Sequence, residues 1–184
     1  MGKRARLLIG GCQGILAALP IASDAGISYV QGAAEVSARR EIEASATYPS
    51  TQVAGDLDVI FIAWASAAAE VVSVSDTSGN LYLRVGSISN AGVATQVTYY
   101  ANHIARAAPG RNTVTVRFSS PIQQATLGIT EYHGVDPQKP IAAAAGAAGI
   151  SMTAASGSLV IPDPGAVLVS SAFTAGQALG PGPF

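Results

Sequence analysis

Residues 71 to 85, VVSVSDTSGNLYLRV, set two runs of alternating apolar residues around a short polar segment. Val72 and Val74 share one face of the first run, while Leu81, Leu83 and Val85 share one face of the second. A period of two is the mark of half-buried strands. Gly79 and Asn80 tolerate the positive φ of a tight reversal, and Asp76 can accept backbone N–H groups across it. The stretch therefore predicts a β-hairpin. A cation loop built on Asp76 and Asn80 is the rival reading. Such loops need several oxygen donors at regular spacing, most of them carboxylates, and Asp76 is the only acid in the segment.

The same period extends in both directions. Upstream, EIEASATYP (41–49) sets Ile42, Ala44, Ala46 and Tyr48 against Glu41, Glu43, Ser45 and Thr47, and stops at Pro49. LDVIFIAW (57–64) is nearly all apolar, as a strand covered on both faces would be. Downstream come ATQVTYYANHI, NTVTVRF, ATLGITEY, SLVI and AVLVSSAF. Turn-forming clusters separate them at 54–56, 78–80, 90–92, 109–112 and 162–165. The Ala-rich stretch 140–157 has glycines at 146 and 149 that weaken a helix, and it reads as strand plus loop. The prediction is an all-β chain: an antiparallel β-sandwich, either Ig-like or jelly-roll. The last strand is followed by a Gly/Pro tail ending at Phe184, so the sandwich is expected to be cut short at its C-terminus, lacking its last strands.

Composition agrees. The 184 residues suit one domain, with 49% apolar and only 11% charged side chains. Such a chain favours strands with Ser, Thr and Gln on their outer faces. Its formal net charge of −1 offers no basic field to a nucleic acid. The first 25 residues run from a basic start (Lys3, Arg4, Arg6) through an apolar stretch to small residues, the order of a secretory signal, with a cut after Ala22 or Ala25. The apolar stretch is too short for a stable membrane span. The only cysteine, Cys12, lies inside it; LIGGC loosely resembles a lipid-anchor site, but the apolar run continues past it. The expectation is a leader at 1–25, then a single β-sandwich domain at 26–184, secreted or at the cell surface.

Motifs that would declare an activity are missing. The chain has no nucleophile elbow, no metal-binding HExxH, no CxxC pair and no phosphate loop. The richest cluster is GITEYHGVDP, with Glu131, His133 and Asp136. By parity Leu127, Ile129, Glu131 and His133 share a strand face, so Glu131 points with apolar neighbours and reads as a strand-end acid paired with an Arg or backbone amides, with His133 at the rim and Asp136 in the turn. A carboxylate beside a histidine is also the pattern of a general base. His103 reads as an ordinary strand-end residue. The candidates for ligand contact are aromatic: Tyr82, expected to face outward, Tyr99 and Tyr100, which must face opposite ways on a strand, and Trp64, more readily a core residue. No catalytic set, metal or cofactor is expected.

The segments TQVAGDLDVIFIAW, VSVSDTSGNLY, TQVTYYANHIARAAPGRNTVTVRFS and GITEYHGVDPQKPI occur in an order that resembles a recurrent module of secreted, often multidomain bacterial proteins. In that module a GN-initiated strand ends in Trp, followed by a DSxGNxY corner, a YYAKNI and NTVTVxFS pair and an EYSGLDP strand end. The resemblance spans residues 27 to 172 and implies a β-sandwich, Ig-like or jelly-roll, and an extracellular place. It implies no activity. His133 stands where the pattern has a small residue. The leading expectation is a noncatalytic extracellular binding or adhesion module for polysaccharide or another cell-surface component. The alternatives are a structural spacer or subunit of a surface fibre or virion, and a hydrolase using Glu131 and His133.

Overall fold

The computed structural model describes residues 7–11, 26–37, 39–90, 92, 94–148, 158–160 and 166–173. Eleven strands and no helix are found among them. Eight of the strands form two antiparallel sheets: β2 (Ser28–Ser37), β3 (Glu41–Thr47), β4 (Leu57–Trp64), β5 (Val71–Asp76), β6 (Tyr82–Asn90), β7 (Thr95–Asn102), β8 (Thr113–Ile122) and β9 (Ala125–His133). The larger sheet has the order β2-β9-β4-β7-β6 and the smaller the order β3-β8-β5.

The chain passes from one sheet to the other at every connection from β2 to β9 except the β6–β7 hairpin. That alternation is the winding of a jelly roll, with one departure. β6, which would complete the smaller sheet, pairs with β7 instead. Of the two sandwich types expected, the strand order selects the jelly roll.

The order also corrects the reading of residues 71–85. β5 and β6 lie in different sheets, so they are not a hairpin; the SDTSGN segment is a corner that carries the chain across the sandwich. Only Gly79 takes a positive φ there, at 77°. The register of β5 against β8 shifts between Val71 and Ser73. A bulge of this kind reverses the facing of the residues beyond it, so Val71 and Val74 meet the core and Val72 is exposed.

Between the sheets, Ile60, Ile62, Trp64, Leu127 and Ile129 pack against Ala44, Ala46, Val114, Val116 and Phe118. The Trp64 indole lies 5.4 Å from the Phe118 ring and donates its N–H to Ala69 O at 2.9 Å. On the outer face of the smaller sheet, Ser45 and Thr47 hydrogen-bond Thr115 and Thr113, and Glu43 pairs with Arg117. The polar face expected from composition is therefore present.

The opposite face of the larger sheet carries a second core of Leu57, Val59, Phe61, Val85 and Tyr132. It is covered in part by a short parallel sheet of β1 (Leu7–Gly11), β10 (Ile141–Gly146) and β11 (Val167–Ser171), in the order β10-β1-β11. Val169 is buried there, with Ile141 and Val167 against it. With cover on both sides, every residue of β4 is buried, as its unbroken apolar run predicts. The strand expected in the Ala-rich stretch is β10. β1 falls inside the segment read as a leader, and a chain cut after Ala22 or Ala25 would keep β10 and β11 without the strand between them. The turn cluster at 162–165 and the Gly/Pro tail lie outside the described residues, apart from the tail's first positions next to β11.

Candidate functional site

The polar residues of the chain converge on one end of the first core. Gln31 on β2 stands opposite Glu131 on β9, Glu131 opposite Asp58 on β4, Asp58 opposite Ala101 on β7, and Ala101 opposite Tyr82 on β6. These five positions form a row across the whole larger sheet, one step beyond the apolar layer of Ile60 and Ile129. Directly cross-strand side chains share a face, so the row points between the sheets. Ala101, the one small member, leaves room beneath the side chains that arrive from the loops.

From the smaller sheet and its loops come Tyr48, Gln52, Asp76 and Asn112. Gln52 Nε2 donates to both Asp58 oxygens at 3.0 and 3.2 Å, and Gln52 Oε1 accepts Asn112 Nδ2 at 2.7 Å. Asn112 Nδ2 also donates to Asp76 Oδ2 at 3.0 Å. The Tyr82 hydroxyl lies 2.9 Å from Asp76 Oδ2 and 3.4 Å from Asp58 Oδ2. Asp58 is fully buried, and burial pushes its carboxyl up to about 8. The Gln52 hydrogen bonds oppose that shift, and the Glu131 charge adds to it. Below that value Asp58 carries a proton, which it can give to the Tyr82 oxygen while Tyr82 donates onward to Asp76. Burial also drives the Tyr82 and Tyr48 phenols well above their ordinary value, so both remain donors.

Asp76 is the anchor of the corner. It accepts Ser78 N and Asn80 N on Oδ1, and Asn80 Nδ2, Tyr82 Oη and Asn112 Nδ2 on Oδ2. The Asn80 carbonyl oxygen is held by Ala105 N at 2.8 Å, which turns the amide nitrogen towards Asp76. A cation ligand would present oxygen here. Asp76 and Asn80 form a donor-saturated corner, and no cluster of three or more His, Cys, Asp or Glu occurs among the described residues.

At the other end of the row, Glu131 accepts Gln31 Nε2 at 2.6 Å and Val53 N at 3.2 Å. Gln31 in turn fastens the 50–51 loop through Ser50 N, Ser50 O and Thr51 O. Burial raises the Glu131 carboxyl; the Gln31 and Val53 bonds oppose this, and the neighbouring Asp56 carboxylate reinforces it. Asp56 Oδ1 meets His133 Nδ1 at 2.7 Å, while Asp56 Oδ2 is buried without a hydrogen-bond partner among the described residues. The His133 side chain is 61% exposed and Asp56 is buried, so the pair stands at the rim.

Glu131 and His133 are thus brought together, through Asp56. Asp136 is not part of the group; it caps its own turn by accepting Gln138 N at 2.9 Å. His103 is exposed at the end of β7 with a left-handed φ of 55°. The expectation that Tyr82 faces outward is overturned: it is 8% exposed, and its neighbours Leu81, 76% exposed, and Leu83 are the outward residues. The buried Asp58 and half-buried Asp76 carboxyls at its hydroxyl hold the ring inward. Trp64, 1% exposed, is a core residue with no free face. Tyr99 and Tyr100 do face opposite ways, but each is half-buried against a core. Sequence reasoning missed Gln31, Gln52, Asp56, Asp58 and Asn112. It also missed the one strongly exposed tyrosine, Tyr29, 48% exposed and edge-on to Tyr132 at 5.9 Å.

No protein-family model, curated protein or solved structure matches this chain.

Proposed function

We propose that the chain is a noncatalytic extracellular module for binding or adhesion, whose partner is polysaccharide or another cell-surface component. The observation that carries this reading is the closure of its acids. Asp58 and Glu131 have no exposed surface and spend their oxygens on Gln52, Gln31 and the Val53 amide. A general acid or base must reach the proton it moves, and these carboxyls reach only their own scaffold. The row ties five strands and three loops together, which is the work of a frame that presents a surface.

The test is retention of the full chain on a panel of insoluble glycans, with elution by the matching soluble sugar. Specific retention is expected, and no retention on any glycan overturns the polysaccharide reading. A second reading, a subunit of a surface fibre, is favoured by one feature: β2 is a ten-residue edge strand with Tyr29, Val30 and Val36 exposed on it. An open edge of that length can take a neighbour's strand. Concentration-dependent growth in light scattering would favour it over the first reading.

A further inference from the structure

A cleft of about 300 Å³ lies between the β6–β7 hairpin and β10. It exists because β6 loses register with β7 between Val85 and Ser89, where Gly86 takes a φ of 62°. Bulges of this kind often stand beside binding sites. Val85 and Thr98 on the sheet side face Ala145 and its small neighbours on β10. Thr98, 7% exposed as a residue, lines the cleft. Ser89 and Gln96, a cross-strand pair, line the cleft and also a separate small pocket that includes Phe173. Gln96 is held in place by Ser171 Oγ at 2.7 Å.

The lining contains no charged side chain. It offers hydroxyl and amide groups on one side and methyl groups on the other. Such a surface rejects ions, since none of their charge would be matched, and suits a neutral ligand that is polar at its edge and apolar on its face. The volume is at the lower end of the range for small-molecule sites, about 300–1,000 Å³. We propose that this cleft binds a single pyranose unit of a neutral glycan, with the Thr98 hydroxyl as one of its contacts. The proposal rests on the reading of the chain as a glycan-binding module and assigns it a site.

The experiment titrates the full chain with D-glucose, D-galactose, D-mannose and N-acetyl-D-glucosamine, following affinity by calorimetry or amide shifts. Two variants accompany the parent. Thr98→Val removes the hydroxyl at constant shape, and Ala145→Leu fills the cleft. At least one sugar should bind the parent, about tenfold more weakly to Thr98→Val, as expected for one lost hydrogen bond, and not measurably to Ala145→Leu. Unchanged binding in both variants overturns the cleft assignment and leaves glycan binding standing elsewhere. If the parent is retained on no insoluble glycan and binds none of the four sugars, the glycan reading itself fails.

Discussion

Asp58 sits in an apolar run between Leu57 and Val59, and it is the residue at which chemistry and stability meet. Its carboxyl ionises at about 8 in the folded chain against 3.8 in the unfolded one. Folding therefore binds a proton between these values. The unfolded state holds fewer protons in that window, so stability is greatest at its acid end and falls as pH rises through it, by at most about 1.4 kcal/mol per unit. Glu131, also raised, acts in the same direction. Asp58→Asn keeps the shape and cannot ionise; its amide can donate to Tyr82 while its oxygen accepts Gln52. Urea unfolding at pH 5 and pH 8 should show a marked loss for the parent and a smaller one for the variant. Equal losses would mean that Asp58 is charged in the fold. Asp58 was visible in the sequence as an acid in a strand buried on both sides, a local conflict that requires partners. Those partners could not be read, because Gln52 and Tyr82 come to this end of the core from a separate loop and a separate strand.

At the scale of elements, the corner at 76–80 holds the two sheets together. Asp76 accepts five hydrogen bonds there, including those from Tyr82 and Asn112. Asp76→Ala removes the acceptor these five donors share, leaving Asn80 N and Nδ2 without theirs and weakening the rest, and a buried polar group left unpaired costs about 1–3 kcal/mol. A loss of about 3 kcal/mol is expected by chemical denaturation. Added calcium should leave the parent's melting temperature unchanged, and a calcium-dependent rise would restore the cation reading. A second element-scale contact is the close approach of Gly134, with φ of 81°, to Gly26, where a Cβ would lie 2.1 Å from the Gly26 oxygen. Gly134→Ala must therefore separate β9 from the start of β2, and a loss of at least about 2 kcal/mol is expected on backbone strain and displacement together. The strands were legible because period-two patterning marks them one at a time. The hairpin reading of 71–85 failed because pairing is a property of two elements. The sequence marks a reversal there but not which sheet each arm joins. Tyr82 was misplaced although the alternation in its strand holds: the facing was set by taking Leu81 and Leu83 as the inward members, and they are the outward ones.

For the molecule as a whole, the jelly-roll winding grows out of many short strands with turns between them, and composition placed the hydroxyl-rich face correctly. β10 and β11 were read as strands, but the third sheet was not legible, because the strand that pairs with both, β1, lies in a stretch read as a leader. That placement makes export directly testable. When the gene is expressed in a secreting bacterial host, an external product starting at Ser23 or Gly26 would bear out the leader reading, and would also take away the strand that joins β10 and β11 and supports the cleft beside β10. A product that keeps Leu7–Gly11 would mean that β1 is part of the working protein and would contradict the leader reading. The central claim, that the row of buried acids is a frame and not a catalyst, is tested most directly by one assay. Parent, Glu131→Gln and His133→Ala chains are incubated with the polysaccharide that retains the parent, and released reducing ends are counted. No release by any of the three and equal retention of all are expected. Release by the parent that is abolished in either variant would contradict the claim.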